Sequence, residues 1–184
     1  LVGIKQKRMG VLIINRTKIQ NLEGCPELVS QLIIKNSPSF NSLKGTLKNI
    51  TGDFGYITIA GTSLQTLEHC PQTNGDVNFY LPYNKLVSLV GMPSRCHHLN
   101  IAENNLTTLI GCPQYITGDF NCKYNNLINF DGFPRMIEGD VFMTVSRMFG
   151  NPLMIQHGYF ERELRQRCKI YGRIELSDPS DLQI

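Results

Sequence analysis

Residues 99–127 read LNIAENNLTTLIGCPQYITGDFNCKYNNL, and this stretch decides the fold. Two phrases alternate in it. The first is apolar-x-apolar-x-x-Asn-x-Leu: Leu99, Ile101, Asn104 and Leu106, then Phe120, Cys122, Asn125 and Leu127, 21 residues later. Alternating apolar positions turn one face of a short strand inward. The Asn marks where the chain turns into the core and buries backbone groups that need partners. Its amide both donates and accepts, so it can bridge neighbouring coils. The second phrase lies half a period away: Leu106, Leu109, Gly111 and Pro113.

Both phrases extend outward along the chain. Residues 79–86 repeat the first, and weaker copies are Leu12–Ile14–Thr17–Ile19, Ile57–Ile59–Thr62–Leu64 and Val141–Met143–Ser146–Met148. At the Asn position stand Thr17, Thr62, Asn84, Asn104, Asn125 and Ser146, every one able to hydrogen-bond. The copy near 32–40 is open by one residue, because Pro38 falls where the Asn belongs. The second phrase recurs as Ile19–Leu22–Gly24–Pro26, Leu86–Leu89–Gly91–Pro93 and Leu127–Phe130–Gly132–Pro134, with degraded copies at Leu64–Leu67–His69–Pro71 and Phe40–Leu43–Gly45. Its markers fall at 22, 43, 67, 89, 109 and 130. Strands repeating at this interval stack in parallel about 4.8 Å apart. The pattern predicts a thin, β-rich repeat solenoid of about seven coils, with a parallel sheet on its concave face. The Gly- and Pro-bearing connections are too short for a long helix, so turns or 3₁₀ segments are expected on the convex side.

A third phrase precedes the strands: Gly52–Asp53, Gly75–Asp76, Gly118–Asp119 and Gly139–Asp140. Its Gly is read as supplying an unusual backbone angle. Its Asp is read as a turn residue bonding its own backbone rather than as one of a catalytic carboxylate pair. From Asp to the closing Leu the distance is 8 residues for Asp119, 10 for Asp76 and 11 for Asp53, which predicts longer or bulged third and fourth strands.

The repeats GCPQYITGDFNCKYNNLINFDGFPRMIEGDV resemble leucine-rich repeats of a family encoded mainly by tailed phages and some bacteria. The resemblance covers roughly residues 10–150 and is closest over 106–141. It implies a leucine-rich-repeat fold in the cytoplasm of an infected cell, and no particular reaction.

The expected organisation is a basic N-terminal arm or cap at 1–10, the solenoid at 11–150, and a C-terminal cap and tail at 151–184. In the cap, Asn151–Pro152 reads as a turn or helix start. Phe160, Leu164, Cys168 and Tyr171 make an apolar stripe for a helix over about 157–171, with Gly172 as its stop and a tail from 177. Glu161–Arg165 and Glu163–Arg167 are i,i+4 pairs in the favourable order. The net charge of +3 is concentrated at the start, where Lys5, Lys7, Arg8, Arg16 and Lys18 meet no acid before residue 19. A basic stripe along the body, the mark of a nucleic-acid binder, is missing.

The signals for chemistry are weak. Cys25, Cys70 and Cys112 share one repeat position with Met92 and Phe133, so the position asks for apolar packing. Members of that row should lie two coils apart, roughly 9–10 Å by strand spacing, beyond the roughly 7 Å between Cα atoms that a disulfide spans. Free buried thiols suit a reducing compartment, so a cytoplasmic location is expected. No run approaches the ~20 apolar residues of a membrane span, and no secretory leader is read. Cys96–His97–His98 lacks a fourth ligand, and no metal or other cofactor is expected. No nucleophile elbow, phosphate loop or HExxH motif occurs, so an enzyme is not expected.

Binding is therefore expected on the concave sheet, through the side chains between the inward residues: Tyr56, Thr58, Asn78, Tyr80, His98, Asn100, Asn121, Lys123, Phe142 and Thr144. Aromatics among small polar neighbours suit a protein partner. A one-residue register slip would turn Tyr56 and Tyr80 inward. The alternatives are nucleic-acid or nucleotide binding through the basic arm with Lys123 and Arg95, and a structural or homo-oligomeric role.

Overall fold

The computed structural model describes residues 7–51, 55–73, 76–144 and 157–177. The chain winds as a parallel β-solenoid of about six turns with one short helix near its C-terminal end. The long ladder is built from β1 (Arg8–Asn15), β2 (Leu28–Ser37), β4 (Tyr56–Thr62), β6 (Asn78–Tyr80), β8 (Leu99–Asn100), β10 (Phe120–Asn121), β12 (Val141–Thr144) and β14 (Ile174–Ser177), each parallel to the next. The register carries one inward position through Leu12, Leu32, Ile57, Phe79, Leu99, Phe120 and Val141, all buried. Two residues on, Ile14, Ile34, Ile59, Leu81, Ile101, Cys122 and Met143 form a second buried column. The alternation read from the sequence thus produces one continuous core.

The leucines of the second phrase close that core from the opposite side, and Leu22, Leu43, Leu67, Leu89 and Leu109 are at most 2% exposed. The turn after the markers at 22, 67, 89, 109 and 130 is closed by a backbone bond three residues back, as from Cys112 N to Leu109 O at 2.9 Å, whereas after Leu43 the Thr46 N–H bonds Leu22 O of the preceding coil. Gly111 adopts φ +91° there, and a Cβ on it would lie 2.4 Å from Val90 N in the preceding coil. His69 takes the same left-handed conformation at φ 64° where the repeat otherwise has Gly.

Between second and third phrases the chain forms a further set of two-residue strands rather than 3₁₀ segments. They are β3 (Asn49–Ile50), β5 (Gln72–Thr73), β7 (Arg95–Cys96), β9 (Tyr115–Ile116), β11 (Met136–Ile137) and β13 (Lys169–Ile170). β3 joins the first two residues of β2, and β7, β9, β11 and β13 make a separate four-stranded ladder. Ile50, Cys96, Ile116, Ile137 and Ile170 point inward from these strands and are buried.

The ends differ from the expected boundaries. Arg8, Met9 and Gly10 belong to β1, and Lys7, just before it, accepts through its carbonyl from Leu28 N. At the other end the helix α1 (His157–Arg167) stops four residues short of Tyr171. Phe160, Leu164 and Cys168 are buried as the stripe predicts, with the Phe160 ring 5.2 Å from that of Phe130, but Tyr171 is 60% exposed. The reason is that residues 169–177 rejoin the solenoid as β13 and β14, adding a rung beyond β12. Gly172 packs against Gly139 of the previous coil and is no helix stop. The described part of the traverse between β12 and β13 is α1. Both i,i+4 pairs form, Arg165–Glu161 at 3.0 Å and Arg167–Glu163 at 3.6 Å. Lys5, Asp53, Gly75, Ser146, Met148, Asn151–Pro152 and the tail from 178 lie outside the described residues. Among the described residues no helix is long and apolar enough to cross a membrane.

Candidate binding face

Two rows of side chains stitch the coils together and fix the outer face of the long sheet. The inner row is the Asn position. Asn104 Nδ2 donates to Leu81 O at 2.9 Å and to its own coil at Ile101 O, while its Oδ1 accepts from Leu86 N at 3.0 Å. Asn125 repeats this geometry one coil after, and Asn84 repeats the two donations one coil before, while its Oδ1 accepts from Thr62 N and Thr62 Oγ1 and Leu64 N donates to Thr62 Oγ1. All three asparagines are buried. Thr62 and Ser37 stand at the same register position, which settles the 32–40 copy on Ser37, and Thr17 N donates to Ser37 Oγ at 3.2 Å. The residue before each is left-handed: Arg16, Asn36, Gly61, Tyr83, Glu103 and Tyr124 have φ between 49° and 66°. That conformation costs an ordinary residue about 1–2 kcal/mol, and the buried bonds it permits hold it in place.

The second row runs along the corner where the short strands meet the long ones. Asn78 Oδ1 accepts from His98 N at 3.3 Å, and His98 Nδ1 accepts from Asp119 N at 2.8 Å. Asp119 Oδ1 accepts from Asp140 N at 2.9 Å, and Asp140 Oδ1 from Arg173 N at 2.8 Å. The Gly-Asp aspartates of the last coils therefore bond the next coil's backbone and not their own. The Gly beside them serves close approach: a Cβ on Gly139 would lie 2.3 Å from Asp119 Oδ1.

In the third and fourth coils the extra residues change this corner. β4 is seven residues long, as the Asp-to-Leu distance predicts, but β6 has only three. Phe79 pairs with Leu99, so Asn78 and not Asp76 occupies the corner position, and the surplus of the fourth coil sits before its strand. Asp76 turns instead to Arg95 Nε at 2.7 Å and Thr117 Oγ1 at 3.1 Å.

The outward side chains follow from the register. One row runs Ile13, Ile33, Thr58, Tyr80, Asn100, Asn121, Phe142 and Glu175. Tyr56 flanks Tyr80, their rings stacked at 6.3 Å and 17°, so no slip has turned them inward. Tyr56 is 37% exposed, and Thr58, Tyr80, His98, Asn100, Asn121, Lys123 and Phe142 are half-buried. Asn78 and Thr144 are corrections to the accessible set: at 4% and 5% exposed they are structural acceptors, Asn78 for His98 N and Thr144 for Tyr124 N. Lys123 lies 5.6 Å from the Phe142 ring centre and is ion-paired with Glu175. Tyr80, His98, Leu99, Asn100, Asp119, Asn121 and Phe142 line a shallow depression of about 370 Å³. A smaller hollow of about 230 Å³, lined by Asp140, Phe142, Arg173, Ile174 and Glu175, adjoins it at Phe142. Ile13 and Ile33, absent from the expected set, continue the row at its N-terminal end, Ile13 at 64% exposure. The alternation of residues 11–14 was the available signal for Ile13.

Several ionisable groups of the face and the core are shifted from their ordinary values. Asp140 is held below its ordinary range by bonds from Arg173, and Asp76 by its bond from Arg95. Burial pushes the His98 imidazole down, against the opposing pull of Asp119, consistent with an Nδ1 that must stay unprotonated to accept Asp119 N–H. Burial raises Cys25 to about 11 and Cys70, Cys96, Cys122 and Cys168 to about 12. The six cysteines are buried free thiols. Within Cys96–His97–His98 the Cys96 side chain enters the core, while the His97 and His98 rings lie 4.2 Å apart outside it, His97 reaching Thr117 Oγ1 at 3.0 Å and His98 joining the corner row. Among the described residues no group of three His, Cys, Asp or Glu side chains is placed to hold a metal ion.

Comparison with known proteins finds no protein family, no curated protein and no solved structure that matches this chain.

Proposed function

We propose that this chain is a binding module of the leucine-rich-repeat type, not an enzyme, that docks a protein partner on the outer face of its long sheet. The observation that carries the reading is the set of aromatics on register-fixed strands, with Tyr80 and Phe142 lining the Asn100–Asn121 depression and Tyr56 stacked on Tyr80. Aromatic anchors on a rigid frame are what protein hot spots require. The repeat resemblance adds the setting: a phage or bacterial protein acting in the cytoplasm of the infected cell on a host or viral protein, with inhibition of a host defence as the specific version. Nucleic-acid binding is disfavoured because the body cations it would use, Lys123 and Arg95, are paired with Glu175 and Asp76.

The test is a pull-down from host lysate with wild type beside Tyr80→Ala/Phe142→Ala, both shown to be folded by circular dichroism. A protein retained by wild type and lost by the double mutant is the expected result. Retention of nuclease-sensitive nucleic acid with steep salt dependence, unchanged in the double mutant, would sink this reading.

A further inference from the structure

Three carboxylates at the C-terminal end of this face and its corner have a cation each: Asp76 has Arg95, Asp140 has Arg173 and Glu175 has Lys123. Asp119 has none. Its Oδ1 is occupied by Asp140 N–H, and its Oδ2 lies 3.6 Å from His98 Nδ1, a nitrogen already accepting the Asp119 N–H. An imidazole accepting at that nitrogen offers the carboxylate no proton. Asp119 lines the depression, half-buried, beside the Tyr80 and Phe142 side chains.

Asn100 and Asn121 complete the surroundings. Each Oδ1 is fixed by the backbone N–H two residues on, Ala102 N and Lys123 N, both at 3.0 Å. Each Nδ2 remains a donor on a residue that lines the depression, in two register-paired strands. The depression therefore offers a carboxylate with no ion-paired Lys or Arg among the described residues, aromatic walls and two amide donors. A cation on a partner satisfies the carboxylate and faces the rings, and main-chain carbonyls beside it satisfy the amides. An anionic ligand would be repelled by the Asp119 carboxylate.

We infer that the depression is the anchor subsite for an arginine or lysine side chain of the protein partner, seated on Asp119 beside Tyr80, with the flanking main chain bonded by Asn100 and Asn121. This rests on the protein-binding reading above and names the chemistry of the partner.

The probe is the capped tripeptide Ac-Ala-Arg-Ala-NH2, titrated into ¹⁵N-labelled protein, with its citrulline analogue as a neutral isostere. The arginine peptide is expected to shift the amide signals of Tyr80, Asn100, Asp119 and Asn121 saturably. The citrulline peptide should bind about tenfold more weakly, as should the arginine peptide to Asp119→Asn, the loss expected on removing one charge from a charge-assisted hydrogen bond. Asp119→Asn keeps the Oδ1 that accepts Asp140 N–H, and the citrulline comparison needs no variant. Equal binding of the two peptides, or no shift around the depression, overturns the inference. If a lysate protein is lost by Tyr80→Ala/Phe142→Ala but retained by Asp119→Asn, the protein-binding reading stands and the basic-anchor inference falls.

Discussion

The first two coils and the middle coils reach the same buried core by different means. In β1 and β2 the backbone pairing is nearly continuous, from Arg8 with Leu28 to Asn15 with Lys35, and passes through both faces without a corner. In β8 and β10 only two residues pair on the long side, yet Leu99, Ile101, Leu106 and Leu109 are at most 1% exposed. What differs is the side-chain stitching. The first coils have hydroxyls at the inner row, Thr17 and Ser37, whereas the middle coils have Asn84, Asn104 and Asn125 and add the acceptors His98 and Asp119 at the corner. A long straight strand satisfies itself through its neighbour's backbone. A coil that bends twice exposes backbone groups at each bend, and buried side chains must supply their partners.

The largest break in this comparison should come from Asn104→Ala. It orphans Leu86 N–H, at about 1–3 kcal/mol for a buried donor left unsatisfied, and removes one of two amide bonds at Leu81 O and at Ile101 O, which keep the Asn84 and Asn125 amides, so roughly 2–4 kcal/mol is expected in total. Denaturant unfolding monitored by circular dichroism reads this directly, and a loss below about 1 kcal/mol would mean that water replaces the amide and the row is dispensable. Ser37→Ala sharpens the other side. Only the bond from Thr17 N and the weak hydroxyl contact cross between coils there, so about 1 kcal/mol is expected in the same assay. Equal losses at the two sites would erase the distinction between the coils.

The smallest effect concerns the corner. His98 is neutral in the fold, with its pKa lowered from 6.5, so the unfolded chain takes up the proton first as pH falls. Its contribution is complete above pH 6.5 and declines as pH falls below that value through the lowered folded one. His98→Asn keeps an acceptor for Asp119 N–H but does not titrate. Wild type should therefore lose more stability than this variant between about pH 7.5 and 5.5. Parallel pH profiles would show that the imidazole's protonation state is immaterial to the corner.

Much of this was legible from residue type and spacing, because a period-two strand and a buried Asn leave marks in every copy. Asn84, Asn104 and Asn125 were readable as bridging side chains, and the outward placement of Tyr56, Tyr80 and Phe142 follows from alternation. Ser37 was obscured by Pro38, one residue on. The short strands escaped notice because two residues carry no period. The rung at β13 and β14 repeats Ile137–Glu138–Gly139–Asp140–Val141 as Ile170–Tyr171–Gly172–Arg173–Ile174, but Arg replaces the Asp and α1 separates it from the array. The burial of Asn78 and Thr144 depends on neighbours in adjacent coils, which no single-strand pattern records. The partnering of Asp119 is likewise a matter of which cations fold near it.

The two side-chain rows run in opposite directions. An inner-row Asn serves the backbone of the coil before it, as Asn104 does for Leu81 and Leu86, while a corner residue serves the coil after it, as His98 does for Asp119. Cutting away a coil from the C-terminal side strips the inner bonds of its predecessor. Cutting from the N-terminal side strips the corner bonds of its successor. Neither end is the free end of a zipper, and shortening the array from either side leaves the new terminal coil short of partners that its own residues cannot supply.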